Sequence, residues 1–293
     1  MWYSEWHVLV VDDEPDVLQL SKLVMKSIEV DGVPVRVHTA SSKQEAITLL
    51  QEQFSEESGI GTLAVAFIDV VMENDQAGLE LCDFIRNTMN NTITQLYIRT
   101  GQPGTAPERD VIDKYNISGY FTKVEATEDK LYTLVKSGIR QYLFAEYAMT
   151  TMMMTNGVIA ASTGGQAAIT QMMHDALSQQ ATNRESEHAT LCIMADDETV
   201  VEVNLTQAEA TRIVQDMEAN DQFRTVGDGI EYGTSPNMTA LKVAATPYSP
   251  GVLFVAGLSS MPLNDMMVVL QANAMRSIGT LWTQAAKQVP QGA

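Results

Sequence analysis

Short apolar runs alternate with amphipathic stretches through the first half of the chain, and this alternation constrains the fold more than any other feature. The runs are rich in β-branched residues and continuous enough for burial on both faces, which is typical of parallel strands. The intervening stretches place apolar residues at helical spacing. We therefore predict an α/β fold, a doubly wound five-stranded parallel sheet covered by helices. The predicted strands are His7–Val11, Val35–Thr39, Leu63–Asp69, Gln95–Thr100 and Gly119–Thr122.

Polar residues stand at the ends of four of these predicted strands. Asp12 and Asp13 follow the first strand and Asp69 ends the third, while Thr100 ends the fourth and Lys123 follows the fifth. Because doubly wound sheets place their chemistry at the carboxyl ends of the strands, we expect these side chains to converge. Crowded carboxylates repel one another unless a cation lies among them. Mg²⁺, which prefers oxygen ligands, is the cofactor that this set predicts.

The same groups suit phosphoryl transfer. Asp69 is the predicted nucleophile, since a carboxylate can form a covalent acyl phosphate. Lys123 and Thr100 would stabilise the negative charge that spreads over the phosphoryl oxygens in the transition state.

Four motifs resemble those of CheY-like receiver domains of two-component response regulators, and the likeness covers residues 7–145. Their order and spacing match together, and the family's fold is a flavodoxin-like doubly wound sheet. The motifs are Val10-Val11-Asp12-Asp13-Glu14, Phe67-Ile68-Asp69-Val70-Val71-Met72, Ile98-Arg99-Thr100-Gly101 and Tyr120-Phe121-Thr122-Lys123.

This resemblance implies a role for each matching residue. The implied metal ligands are Asp12, Asp13, Asp69 and the backbone carbonyl of Val71. Asp69 would accept a phosphoryl group from a sensor histidine kinase or a phosphotransfer protein, assisted by Lys123. Thr100 and Tyr120 would be the switch residues. With no output-enzyme motif in the chain, the resemblance predicts a phosphoacceptor and not an enzyme.

Two positions depart from the family's pattern. Glu73 and Val124 each stand where many receivers have proline. Because neither change removes a reacting group, we expect the chemistry to persist while its kinetics differ. Without proline, the peptide bond after Lys123 is expected to be trans.

A narrower resemblance, to one receiver subfamily, lies in residues 70–79 and 99–109. In that subfamily a GAF-like domain of unknown function follows the receiver, often with a cyclic-di-GMP phosphodiesterase of the HD-GYP type beyond it. Residues 190–287 are compatible with the GAF-like part. The dipeptide His174-Asp175 is similar to the metal-binding pair of such enzymes, but four histidines in all are too few for a multi-histidine centre, so we interpret it as an ordinary helical pair.

The second half predicts an α+β domain with an antiparallel sheet. We expect a helix at Gln166–Leu177, another at Gln207–Ala219 and a last one that starts near Pro262. The expected strands are Thr190–Ala195, Thr199–Asn204, Met238–Thr246 and Gly251–Leu258. A helical connector that ends at Thr163-Gly164-Gly165 would join the halves. The predicted domains are thus residues 1–127, a connector of residues 128–165 and residues 166–293.

Charge and composition limit the classes of partner that the chain is expected to bind. The net charge is -19, and residues 151–293 hold 14 acidic against 6 basic side chains, so nucleic acid is not an expected partner. The distant Cys82 and Cys192 suit a reducing cytoplasm, and no apolar run is long enough for membrane insertion. A homodimer is expected, and the apolar side chains of the connector either pair with a second subunit or, as is more common for a methionine stripe at helical spacing, belong to an ordinary core.

Three alternatives stay open for the output. The GAF-like half could be a small-molecule sensor in a dual-input regulator, or only a docking and dimerisation module. Otherwise the chain could be the regulatory part of a longer cyclic-di-GMP phosphodiesterase.

Overall fold

The computed structural model describes residues 5–54, 63–101, 108–182, 190–257 and 264–287. The chain divides into two compact units, one made of Tyr3–Glu146 and the other mainly of Tyr147–Ala293. The boundary falls within one helix, so that helix belongs in part to each unit.

A six-stranded sheet forms the middle of the first unit. Its strands are β1 (Trp6–Val11), β2 (Glu29–Val30), β3 (Val33–Ala40), β4 (Leu63–Asp69), β5 (Gln95–Thr100) and β6 (Gly119–Thr122). Their order is β2-β3-β1-β4-β5-β6, and all neighbours pair in parallel except β2, which pairs antiparallel with β3. The prediction of five strands missed β2, because two residues are too short to form an apolar run.

Helices pack against this sheet from both faces. They are α1 (Pro15–Met25), α2 (Lys43–Gln53), α3 (Ala77–Asp83), α4 (Glu108–Tyr115) and α5 (Glu128–Ala161), with a π-helical turn at Phe84–Thr88 after α3. Leu9 and Ile68 of the sheet share a core cluster with residues of α2, α3 and α4. On the opposite face α5 approaches so closely that a Cβ at Gly138 would lie 2.9 Å from Val65. The strands β1, β4 and β5 are consequently buried along their whole length.

The second unit contains an antiparallel sheet. Its strands are β7 (Leu191–Ala195), β8 (Glu198–Val203), β9 (Phe223–Gly227), β10 (Ile230–Thr234), β11 (Met238–Val243) and β12 (Val252–Gly257), in the order β8-β7-β12-β11-β10-β9. Asp196 and Asp197, both at positive φ, form the tight turn between β7 and β8. The hairpin of β9 and β10 was not predicted, since β9 is only partly buried and lacks a strong apolar pattern.

Three further helices cover this second sheet. They are α6 (Gly165–Thr182), α7 (Gln207–Ala219) and α8 (Asp265–Lys287). Residues of α7 share a core with Cys192 and Val255, whereas α6 and α8 pack around Ile193 and Val201 on the other face. The expected helix start near Pro262 lies outside the described residues, and so does the expected strand end at Leu258.

The helix α5 ends at Ala161, and a 3-10 turn at Ser162–Gly164 leads to α6. Gly165 has φ of 80°, a left-handed conformation that favours glycine and breaks the helical path. Within the described ranges, no helix is both long and apolar enough to cross a bilayer.

Candidate functional site

Three carboxylates meet at the carboxyl ends of β1 and β4. Asp12 follows β1 directly and Asp69 is the last residue of β4, and both are buried, whereas Asp13 is exposed. One oxygen from each of Asp12, Asp13 and Asp69 lies within 4.8 Å of the other two. The neighbouring strands β1 and β4 are paired in parallel, which is why their ends carry these acids to one edge. The predicted convergence of the three acids is therefore present.

Lys123 reaches into this acidic cluster from the end of β6. Its ammonium lies 2.6 Å from Asp69 Oδ2 and 3.1 Å from Asp12 Oδ2. It also donates to Glu14 Oε1 at 2.6 Å. Burial lowers the pKa of Lys123, but the hydrogen bonds to Asp69 and Glu14, together with the charges of Asp69 and Asp12, outweigh burial, so the net pKa is raised. Lys123 is thus a firmly charged ammonium shared by three carboxylates.

The carboxylate of Asp69 is only half satisfied. Oδ2 contacts Lys123, whereas Oδ1 is buried and has no hydrogen-bond partner among the described residues. Burial raises the pKa of Asp69 above its usual value, and the charge of Asp12 adds to this, while the Lys123 hydrogen bond opposes it. A buried oxygen without a donor, beside two more carboxylates, fits a hard divalent cation such as Mg²⁺.

Arg99 is a site residue that sequence reasoning missed. It precedes Thr100 on β5 and is 2% exposed. Its Nη2 lies 3.1 Å from Asp12 Oδ2, and its Nη1 donates to Ser21 Oγ at 3.0 Å. The available signal was an arginine inside a strand predicted to be buried on both faces, since a buried arginine almost always has a partner.

Glu14 is the second missed residue. It is exposed, and the hydrogen bond from Lys123 lowers its pKa below the usual value. Its backbone amide donates to Asp12 Oδ1 at 3.0 Å. Sequence reasoning placed Glu14 in the acidic motif but gave it no role, because nothing in the spacing shows which of three adjacent acids faces the lysine.

The predicted switch residues lie on the two neighbouring strands. Thr100 is fully buried at the end of β5, level with Thr122 of β6. Tyr120 is half-buried on β6, where it pairs with Ile98 and packs against the core shared with α4. Thr100 therefore stands at the same edge as Asp69, and Tyr120 stands two residues further back from that edge.

A glycine lies against the backbone of Asp69. The start of α3 passes so close to β4 that a Cβ at Gly78 would lie 1.8 Å from the carbonyl oxygen of Asp69. The Gly78 amide donates to the carbonyl of Val70 at 3.0 Å. Val71, the next residue, is half-buried, and the role of its carbonyl as a metal ligand stays a prediction.

Glu73 and Val124, the two departures from the receiver pattern, have different surroundings: Glu73 forms a hydrogen bond and Val124 is exposed. The Glu73 carboxylate accepts a hydrogen bond of 3.0 Å from the backbone amide of Lys43, the first residue of α2. Glu73 thereby links the loop after β4 to the start of that helix, where a negative charge is favourable. Val124 is 92% exposed, and all peptide bonds of the described residues are trans.

The pair His174-Asp175 belongs to the second unit. Both side chains are at least half exposed, and Nδ1 of His174 lies 4.0 Å from Oδ1 of Asp175. Among the described residues, Asp12, Asp13 and Asp69 form the one group of three or more potential metal-ligating side chains.

Comparison with known proteins gives one curated relative and several similar structures. No protein-family model matches the chain. Over 137 residues, which is 47% of the chain, it is 37% identical to the 3′3′-cGAMP-specific phosphodiesterase 2 of Vibrio cholerae serotype O1. That match covers 25% of the relative, so the chain spans about a quarter of the relative's length.

Two solved structures illustrate the structural likeness. A signal receiver domain of an HD domain-containing protein from Pseudomonas fluorescens Pf-5 is 16% identical, with a TM-score of 0.41, and the match covers 50% of this chain and 95% of that one. An adenylate cyclase from Rhodopirellula baltica is 18% identical with a TM-score of 0.39, over 48% and 93% of the two chains.

The curated relative contradicts one expectation. The resemblance to receivers predicted that the chain is not an enzyme, whereas the matched relative is a phosphodiesterase. That prediction was wrong, because it rested only on the missing multi-histidine motif, which does not test whether the chain is associated with an enzyme.

Proposed function

We propose that the first unit is a receiver domain with a flavodoxin-like fold, and that it is phosphorylated on Asp69. The observation that supports this proposal most strongly is the convergence of Asp12, Asp13, Asp69 and Lys123 at one edge of the sheet. Thr100 lies at the end of the adjacent strand. The proposed donors are a sensor histidine kinase, a phosphotransfer protein or a small acyl phosphate. Cys82 and Cys192 are both free and buried, which suits the cytoplasmic setting that such donors have.

Each residue has a defined part in the proposed reaction. A carboxylate oxygen of Asp69 attacks phosphorus while the bond from phosphorus to the donor breaks, and the donor leaves with the bonding electrons. Lys123 then exchanges its contact with Asp69 for the phosphoryl oxygens, and the Thr100 hydroxyl donates a hydrogen bond to them. The proposed ligands for Mg²⁺ are Asp12, Asp13, Asp69 and the Val71 carbonyl. When bound, Mg²⁺ supplies positive charge that offsets the crowded oxygens.

We propose that phosphorylation of Asp69 changes the surface that the first unit presents to its partners. The added group carries about -1.5 to -2 charges, which draws Thr100 toward it and repositions Tyr120. A complete switch needs roughly 5.5 kcal/mol of differential stabilisation, more than one such contact provides. We therefore propose that a homodimer, formed through the connector of residues 128–165, supplements it.

Phosphorylation is tested with acetyl phosphate and Mg²⁺, followed by intact-mass measurement. The wild-type chain should gain about 80 daltons, the mass of one phosphoryl group, and Asp69→Asn should gain nothing. Asp75→Asn, which changes an exposed acid in the same loop, is the matched control and should label like wild type. An unlabelled wild type, or an undiminished adduct in Asp69→Asn, would reject the proposal.

We further infer that the chain is the regulatory part of a cyclic-dinucleotide phosphodiesterase. The relative and the narrower motif resemblance support this together, with residues 1–127 as receiver and residues 166–293 as a GAF-like output or dimerisation domain. The acidic second half, at 14 acidic to 6 basic residues, disfavours nucleic acid as its target.

This second inference is tested in cells that carry the native gene. Asp69→Asn should abolish the change in 3′3′-cGAMP hydrolysis that acetyl phosphate causes in their extract, whereas Asp75→Asn should preserve it. Equal responses in wild type and Asp69→Asn would contradict the regulatory link.

A further inference from the structure

Arg99 is a buried cation inside an otherwise uncharged strand. It is 2% exposed, and a guanidinium at that depth is strongly unfavourable unless a carboxylate compensates it. The contact between Arg99 Nη2 and Asp12 Oδ2, at 3.1 Å, supplies that compensation, and Asp12 is itself 0% exposed. The second contact, from Nη1 to Ser21 of α1, fixes the direction of the guanidinium. Arg99 is therefore held against Asp12 by the fold.

The two cations of the site differ in their freedom. Lys123 contacts Asp12, Asp69 and Glu14, so it can leave one partner and keep the others. For Arg99, the described residues offer one carboxylate within 4.0 Å, that of Asp12. Arg99 is the resident counter-ion of Asp12, whereas Lys123 is shared.

The charges of the site show what this counter-ion changes. Four carboxylates, those of Asp12, Asp13, Asp69 and Glu14, stand against the two cations Lys123 and Arg99. The formal excess is two negative charges, which one divalent cation would neutralise. Without Arg99 the excess would be three, and the attraction for a divalent cation would be stronger.

We propose that Arg99 is a positioning residue that holds Asp12 in place and weakens the affinity of the acidic site for divalent cations. The proposal rests on the function argued above, because it takes the site to be the metal site of a receiver. A fixed positive charge beside a metal ligand repels the ion, and at the dielectric of water the effect is about tenfold in affinity for a divalent ion roughly 6 Å from the charge. The same contact keeps a positive charge beside Asp12 when Lys123 turns to its other partners.

The test measures Mn²⁺ affinity by the loss of the free-ion electron paramagnetic resonance signal. Arg99→Gln and Arg99→Met both remove the charge, and each should bind Mn²⁺ about tenfold more tightly than wild type. Arg99→Lys keeps the charge and should stay within about threefold of wild type. Arg36→Gln is the matched control, because it removes an arginine that is 60% exposed and paired with Glu5, away from the acids.

Two outcomes of this measurement would contradict the proposed role of Arg99. Weaker or unchanged Mn²⁺ binding in the two neutral variants would overturn the proposal, because a purely structural arginine would give that outcome. Failure of both neutral variants to fold while Arg99→Lys folds would also overturn it, since the charge would then serve the fold and not the affinity.

The measurement separates this inference from the proposed function. Tighter Mn²⁺ binding by the neutral variants, together with a wild type that acetyl phosphate does not label, would sustain the role of Arg99 and reject phosphorylation. A labelled wild type with unchanged affinity in the variants would do the reverse. A wild type that binds no Mn²⁺ would overturn both.

Discussion

Asp69 and Lys123 form an asymmetric ion pair. The ammonium lies 2.6 Å from Oδ2 of Asp69, while Oδ1 is buried and accepts no hydrogen bond from the described residues. Burial consequently outweighs the lysine, and the pKa of Asp69 is raised above its usual value of 3.8. An acid whose pKa is higher in the folded than in the unfolded state destabilises the fold wherever it is ionised.

Asp69→Asn should therefore be more stable than wild type at pH 7. The amide carries no charge to desolvate, and Lys123 keeps Asp12 and Glu14 as partners. We expect a rise of about 3 °C in melting temperature, roughly what 1 kcal/mol produces in a domain of this size. As the pH falls toward 3.8, wild-type Asp69 takes up its proton and the difference should vanish. Circular dichroism melts at pH 7 and pH 4.5 check this; a gap that widens in acid would contradict it.

Lys123→Met should slow phosphorylation of Asp69 by acetyl phosphate about a hundredfold, because one preorganised cation is typically worth that much in a charged transition state. The rate is measured as the mass adduct against time. Lys130→Met, an exposed lysine of α5, is the control and should label at the wild-type rate. Equal labelling rates in the two variants would show that Lys123 does not assist the reaction.

Gly78→Ala should damage the acceptor site through the backbone. The new Cβ would lie 1.8 Å from the Asp69 carbonyl oxygen, and neither backbone segment can yield without moving the acceptor. We expect a loss of about 3 kcal/mol in the free energy of unfolding, at the upper end for overpacking. Urea unfolding measures it. Gly101→Ala, whose Cβ would meet Lys123 at an ordinary 3.6 Å, should cost far less; similar losses would show that the tight contact is not the cause.

The sequence allowed five of the six strands described in the first unit, and the polar residues at their ends, to be predicted for one physical reason. Buried parallel strands are continuous apolar runs, so the polar residues at their ends stand out, as Asp69 does after Leu63–Ile68. Arg99 and Glu14 could not be assigned, because their partners lie on other segments and depend on side-chain direction. The hairpin of β9 and β10 was missed because β9 is only partly buried and has no recognisable apolar pattern.

Arg86 should prove essential to the fold of the first unit. It lies in the π-helical turn, is 9% exposed, and donates to four backbone carbonyls, those of Asn91, Thr94, Tyr115 and Asn116. Arg86→Met would leave these acceptors unpaired, at about 3 kcal/mol or more of unfolding free energy. Arg36→Met removes an exposed arginine and should cost under about 1 kcal/mol. Urea titration compares the unfolding midpoints of the two variants. Equal midpoints would show that the hydrogen bonds of Arg86 do not stabilise the fold.

His7 and His38 should make the first unit sensitive to acid. Their rings are hydrogen-bonded, with 3.0 Å between Nδ1 of His7 and Nε2 of His38. Burial, and then the charge of His7, lower the pKa of His38 from 6.5 to about 4, and burial also lowers the pKa of His7. Between pH 6.5 and about pH 4, His38 binds a proton in the unfolded chain but not in the folded chain. The free energy of unfolding therefore falls as the pH is lowered through this range.

His38→Gln should flatten this decline. We expect wild type to lose of order 2 kcal/mol more than the variant between pH 7 and pH 4.5, because each unit of pKa difference is worth about 1.4 kcal/mol. Groups outside the pair contribute equally to both proteins, so the difference reports on the buried pair of His38 and its hydrogen-bonded partner His7. His174→Gln, which alters a histidine with a half-exposed side chain, should follow the wild-type curve. Parallel curves for wild type and His38→Gln would mean that the buried pair titrates as it does in the unfolded chain.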